Sequence, residues 1–140
     1  MIQQPNIYVT QTDRDRLENL IRLVRRNDDR AHFAYVKRLE EELDDAEIVA
    51  SEEIPPDVVT MRSKVKLKDL DTGEENVYSI VFPNEANFDE QKISILAPLA
   101  TALLGYKCGD TVEVEAPARL RRLKIKEILY QPESAGEYNL

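Results

Sequence analysis

Few residues in this 140-residue chain have the type and setting for chemistry. The one histidine, His32, lies four residues before Val36 on an apolar seam, with no serine or cysteine in a nucleophile motif to serve. A seam position explains it better than a catalytic base. The one cysteine, Cys108, sits in the turn Lys107-Cys108-Gly109-Asp110 and reads as a turn residue rather than a reactive thiol. No Cys/His cluster has zinc-ligand spacing. Gly73, Gly105, Gly109 and Gly136 build neither a dinucleotide nor a phosphate loop. No cofactor, no metal site and no enzymatic activity are therefore expected.

Two charged groups remain. Asp28 and Asp29 fall in the polar run Arg25-Arg26-Asn27-Asp28-Asp29-Arg30, between two helical stretches. One of them could cap the second helix by accepting a backbone N–H. Alternatively, carboxylates at the end of a rigid rod could deliver charge, or hold Mg²⁺, in another protein's site, although the flanking arginines would partly neutralise them. The second group is the series Arg119, Arg121, Arg122, Lys124 and Lys126. It reads as a solvated strand face that discourages edge pairing, or as a docking surface for an acidic protein or nucleic acid.

The elements that carry these groups follow from periodicity. Thr12-Asp13-Arg14-Asp15 resembles a capping box with Asp15 in place of Glu. Behind it, Leu17, Leu20, Ile21 and Val24 recur at helical spacing, predicting a helix from Asp13 to Arg26, about 20 Å long. Val36, Leu39, Leu43, Ala46 and Ala50 predict a second helix with a coiled-coil-like seam and a solvated acidic face. Two such stripes joined by a short polar link make an antiparallel hairpin over residues 1–50, one that leans on a larger body because isolated helices of this length are marginal. Residues 1–9 read as an extended arm.

Pro55 and Pro56 mark the boundary, and from Val58 the period changes to two. Strands are expected around Val65 and Leu67, from Val77 to Phe82, at Ile93 and Ile95, at Val112 and Val114, and from Arg119 to Tyr130. Asp71-Thr72-Gly73-Glu74 is a hairpin turn, and Asn84 to Gln91 a polar loop with Phe88 turned inward. In the last strand Leu123, Ile125 and Leu129 share a face. Leu120 is out of phase with Leu123, which predicts a bulge near Arg121 and Arg122. Pro98 suits a first helical position, Leu99 to Leu104 a short helix, and Gly105 its left-handed end. The tail from Gln131 to Leu140 is expected to pack loosely. The fold class is α+β, a hairpin over 1–50 followed by a sheet body over 51–140 with one short helix across a face.

Composition limits the partners. The net charge is −8, spread as −3 over residues 1–50 and −5 over residues 51–140. That argues against nonspecific nucleic-acid binding and for a protein partner with a basic surface. No apolar run approaches the ~18 residues of a membrane span, and no leader pattern opens the sequence. A cytoplasmic setting fits a lone cysteine. An exposed hairpin stripe could also pair with a copy of itself.

The run from Ile93 to Asp110, continued by Val112-Glu113-Val114-Glu115-Ala116-Pro117, resembles the C-terminal domain of the bacterial Gre transcript-cleavage factors. The strands at 65–71 and 77–81 are similar to that domain as well. Asp57-Val58-Val59-Thr60-Met61, Ala97-Pro98, Ala102-Leu103-Leu104-Gly105, Tyr130-Gln131-Pro132-Glu133 and Ala135-Gly136 resemble one branch of the family, the Rnk regulators of nucleoside diphosphate kinase. The resemblance implies an FKBP-like C-terminal domain that docks at the rim of the RNA polymerase secondary channel, carrying a coiled coil that enters it. It implies a docking loop at Leu96, Ala97, Pro98 and Leu99, and a hairpin tip at Arg26, Asn27, Asp28, Asp29 and Arg30. In Gre factors the tip carboxylates promote cleavage of backtracked RNA. The Rnk branch, with a shorter hairpin, is expected to compete for the rim without stimulating cleavage. Leu96 and Ala97 stand where Gre loops commonly carry polar residues, so contact there would be more apolar.

Overall fold

A computed structural model describes residues 7–26, 33–116 and 119–137. The chain enters on a short strand, β1 (Tyr8–Thr10), and turns directly into α1 (Gln11–Arg26). The helix is capped two residues earlier than its sequence suggests. Thr10 Oγ1 accepts the Asp13 backbone N–H at 3.0 Å, so Thr10 is the cap and Asp13 stands three residues in. Thr12 instead meets Ser51, Oγ1 to Oγ at 3.2 Å.

The second helix, α2 (Phe33–Asp45), ends before Ala46 and Ala50, so the expected seam stops at Leu43. Two causes combine. Asp44 and Asp45 crowd negative charge onto the helix C-terminus, where the dipole disfavours it, and the β-branched pair Ile48-Val49 prefers an extended chain. Residues 47–49 instead form β2 (Glu47–Val49), which pairs parallel with β1, Val9 opposite Ile48. Burial, followed by repulsion from Asp45 and Glu41, raises the Glu42 carboxyl above its usual range. Glu18 and Ile21 lie near Leu43 and Asp44, while Arg25 lies near Phe33 and Lys37 and pairs with Glu40. The two helices therefore run antiparallel.

After a 3₁₀ turn at Ser51–Glu53 the chain builds a five-stranded sheet. Its strands are β3 (Lys64–Asp69), β4 (Glu75–Val81), β5 (Lys92–Ser94), β6 (Thr111–Ala116) and β7 (Arg119–Tyr130), in the order β5-β4-β3-β7-β6. Only the β4–β5 pair is parallel. The short helix α3 (Pro98–Leu103) begins at the proline and is followed by Gly105 at φ +87°. A Cβ there would fall 2.8 Å from Ile7 Cβ and 3.2 Å from the Tyr8 carbonyl oxygen, so Gly105 permits β1 to pass close by. The Gly105 N–H donates to the Val59 carbonyl and its own carbonyl accepts from Tyr8 N–H.

The helices lean on the sheet through one hydrophobic cluster. Leu17, Ile21, Val36, Leu39 and Leu43 share it with Val65, Leu67, Ile80, Leu123 and Ile125, and with Leu103 and Leu104. Three local expectations are corrected. Phe88 is 89% exposed, because the polar segment around it folds back on itself through Asn87 and Glu90. No bulge lies at Arg121-Arg122, where β6 and β7 pair in unbroken register. The register slips lower down, around Lys126 and Leu129, against β3. Those slips turn Ile128 toward the core and leave Leu129 45% exposed, while Leu120 simply joins the solvent face. The start of the tail is also not loose, since Gln131, Pro132 and Glu133 are all buried.

Candidate docking surface

The Leu96–Leu99 loop is built by local chemistry. Past the β4–β5 pairing, Ile95 N–H donates to the Val81 carbonyl at 2.8 Å, carrying the strand one residue further. Ser94 then makes the turn: its Oγ accepts Leu96 N–H and its carbonyl accepts Ala97 N–H. Ala97 occupies the α3 cap position without a side-chain cap, and Pro98 follows at the first helical position. Thr101, fully buried, locks the loop from beneath by donating its Oγ1–H to the Ile95 carbonyl at 2.5 Å.

The surface this loop presents is smaller than its sequence suggests. Leu96 is only 8% exposed and belongs to the core, so Ala97, Pro98 and Leu99, all half-buried, make the outer surface. The surface is apolar and carries no ionisable group.

The other residues singled out are dispersed. Of the hairpin tip, Arg26 ends α1 and is exposed; Asn27, Asp28, Asp29, Arg30 and also His32 lie outside the described residues. In the basic series, strand alternation divides the side chains. Arg122, Lys124 and Lys126 point to solvent, whereas Arg121 shares the face of Leu123 and reaches the buried Asp69 at 3.4 Å. Arg122 pairs with Asp71 at 2.8 Å, and that hydrogen bond holds it still more firmly in its charged form. Arg119 begins β7. Cys108 is exposed, and its thiol donates to the Lys126 carbonyl. Among the described residues no group of three or more His, Cys, Asp and Glu could hold a metal ion, and no helix is long and apolar enough to cross a membrane.

Two features escaped the sequence reading. The first is a buried polar clasp. Asp13, 2% exposed, accepts the Met61 backbone N–H through Oδ2 at 3.0 Å. Burial pushes its carboxyl up to about 7 against the opposing Met61 hydrogen bond, and the nearby Glu133 carboxylate adds to the rise. Glu133 accepts from Thr60 Oγ1 at 2.7 Å, and Thr60 Oγ1 lies 2.8 Å from Ser63 Oγ. With the threonine proton directed to Glu133, the serine donates to the threonine. Gln131 completes the clasp by donating Nε2–H to the carbonyls of Pro55 and Val58. The clue in the sequence was Asp13 on the apolar stripe, four residues before Leu17.

The second feature is Arg62, whose φ of +65° is left-handed although it is not glycine. Its guanidinium stacks over Phe82, 5.4 Å from the ring centre, and grips Glu85 through Nε and Nη2 at 3.0–3.2 Å.

A helical pair leaning on a mixed sheet that also carries an apolar loop-and-helix unit is the architecture of a GreA/GreB-type factor. The chain belongs to that family: residues 54–130 match the model "Transcription elongation factor, GreA/GreB, C-term", and residues 5–49 match the Rnk N-terminus. It is 35% identical to the regulator of nucleoside diphosphate kinase of Escherichia coli K12, over 99% of this chain and 100% of that one. It is 42% identical to the transcription elongation factor GreA of Thermotoga petrophila over 94 residues, 67% of this chain and 60% of that one. Among solved structures, a GreA/GreB elongation factor from Nitrosomonas europaea superposes with a TM-score of 0.75 at 38% identity, covering 91% of this chain and 100% of that one. These relatives carry the names of a regulator and an elongation factor, which supports a transcription-factor-like role.

Proposed function

We propose that this chain is a noncatalytic regulator that binds RNA polymerase at the rim of the secondary channel and competes there with Gre factors. In this reading residues 51–140 form an FKBP-like docking body, and residues 1–50 a short coiled-coil arm. The observation that carries it is the combination of a GreA/GreB-type body with a first helix of only sixteen residues, about 24 Å at 1.5 Å per residue. A helix of that length is, on this reading, too short for the deep reach expected of a Gre hairpin. The exposed parts of Ala97, Pro98 and Leu99 supply an apolar contact that needs no reacting group. The tie to nucleoside diphosphate kinase carried in the relative's name is read as an indirect consequence of altered transcription.

The test is a binding and competition assay with purified core polymerase and a GreA protein. Displacement of GreA by this chain, with no shortening of RNA in backtracked complexes, is the expected result; failure to bind or to displace would remove the proposal. RNA shortening that is lost in an Asp28→Asn/Asp29→Asn double variant would replace it with transcript cleavage. A prolyl-isomerase assay on a model peptide is expected to show no acceleration.

A further inference from the structure

The sheet face turned away from the helices carries a row of side chains that crosses four strands. Tyr130 on β7 pairs with Lys64 on β3, Lys64 with Ser79 on β4, and Ser79 with Lys92 on β5. Directly paired residues share a face, so the four stand in line over about 14 Å, at ~4.8 Å per strand. Val65 and Ile80, the chain neighbours of Lys64 and Ser79, fill the core on the opposite face. The row lines one cavity of about 530 Å³, together with Val81 and Leu129. That volume lies within the range of small-ligand pockets.

One end of the row is cationic, and its donors are uncommitted. Among the described residues, exposed Lys64 makes no ion pair and the Ser79 hydroxyl makes no hydrogen bond. The ion pair of Lys92 with Glu90, at 3.8 Å, is exposed on both sides and worth little. Glu90 also accepts Asn87 Nδ2–H at 2.8 Å. The one carboxylate in the cavity wall, Glu85, is held by Nε and Nη2 of Arg62. Two ammonium groups, two strands apart, thus flank a free hydroxyl, and no uncommitted carboxylate shares the wall with them. Because β3 lies inside the sheet, Lys64 has no edge to protect. Lysine as a point charge and serine as a hydroxyl donor suit the oxygens of a phosphate.

The other end is apolar and aromatic. The register slip between Lys64 and Val65 leaves Leu129 as the extra residue of β7, and a bulge of this kind re-aims a side chain. Leu129 is 45% exposed and stands in the cavity wall with Tyr130 and Val81. The Tyr130 hydroxyl donates to Glu137 at 2.5 Å, which fixes the ring and puts a carboxylate at this end. An anionic group is therefore directed to the Lys64–Lys92 end, and a flat apolar group to the Tyr130–Leu129 end.

We propose that this cavity binds a nucleoside polyphosphate, with the base on the Tyr130 ring and Leu129 and the phosphates received by Lys64, Ser79 and Lys92. Stacking on an aromatic ring tolerates any base, and the length of the row accommodates a base at one end and phosphates at the other. The site binds its ligand without reacting with it.

The experiment is a calorimetric and amide NMR titration of the full chain, at low salt, with ADP, adenosine and inorganic pyrophosphate. ADP is expected to bind saturably below millimolar concentration, with shifts at 64, 79, 92, 129 and 130, and each half-ligand about tenfold more weakly or worse. Lys64→Gln and Leu129→Ser should each weaken ADP by about tenfold. Both positions are exposed, so neither change threatens folding. Lys124→Gln, which removes an exposed lysine elsewhere on the same face, should leave the affinity unchanged. No saturable binding at several millimolar ADP would overturn the proposal. So would pyrophosphate or adenosine binding as tightly as ADP, wild-type affinity in either of the first two variants, or an equal loss in Lys124→Gln. None of these readouts involves polymerase, so the proposal stands or falls apart from the rim-binding reading.

Discussion

The loop-and-helix unit at 94–105 and the polar clasp at Asp13, Thr60 and Glu133 hold the same body together by opposite means. The first is apolar and local: Ser94 with Leu96 and Ala97, and Ile95 with Thr101, bond over two to six residues of chain. The clasp is polar and long-range, joining Asp13 to Met61 across 48 residues and Thr60 to Glu133 across 73. A surface element can be specified by neighbours. Fixing helices to a sheet requires partners that only the folded chain brings together, and here two carboxylates are buried to do it. The clasp should therefore respond to pH and to single-atom changes, whereas the loop should respond to backbone shape.

The largest expected effect is on the pH profile. Between the ordinary value of 3.8 and about 7, folded Asp13 keeps a proton that the unfolded chain has lost. Its contribution is complete below the unfolded value and is lost as pH rises through about 7. Urea unfolding of the wild type should show stability falling across that window, with a slope approaching ~1.4 kcal/mol per pH unit from this group. In Asp13→Asn that slope should vanish; parallel profiles would show that Asp13 does not titrate there.

Next in size is Gly105→Ala, which places a Cβ against Ile7 in a left-handed conformation. A loss of about 3 kcal/mol is expected from the denaturation midpoint, and a loss below ~1 kcal/mol would mean that β1 yields easily. Thr60→Val keeps shape but removes the donor to Glu133 and the acceptor of the Ser63 hydroxyl, and should cost about 2 kcal/mol. If it is neutral, the clasp is not a unit. The smallest change has the opposite sign. Ala97→Ser supplies the side-chain cap that α3 lacks and should add about 1 kcal/mol without altering the Asp13 pH profile.

Local signals in the sequence were sound wherever neighbours decide the outcome. The alternation of Val65 and Leu67, the turn at Asp71–Glu74, Pro98 at the first position of α3 and Gly105 past its end were legible because each rests on near-sequence sterics or side-chain period. So was the stripe of α1, whose apolar spacing is strong. The candidate loop was legible as a shape, though not the burial of Leu96, which depends on what packs over it.

Other features were settled between distant segments. Ala46 to Ala50 carries helical spacing, yet β1 offers Glu47 to Val49 a strand partner, and tertiary pairing overrides the period. The displaced bulge follows from register against β3, not from the phase of Leu120. Asp13, Thr60 and Glu133 are unremarkable residues until folding removes water from all three. By itself, then, the sequence determined the α+β class, most strand and helix positions and an apolar loop, because propensity and periodicity act over a few residues. Which carboxylates are buried, which side chains share a cavity and how the helices meet the sheet were decided by the tertiary structure, because desolvation and hydrogen-bond partnership exist only once distant segments meet.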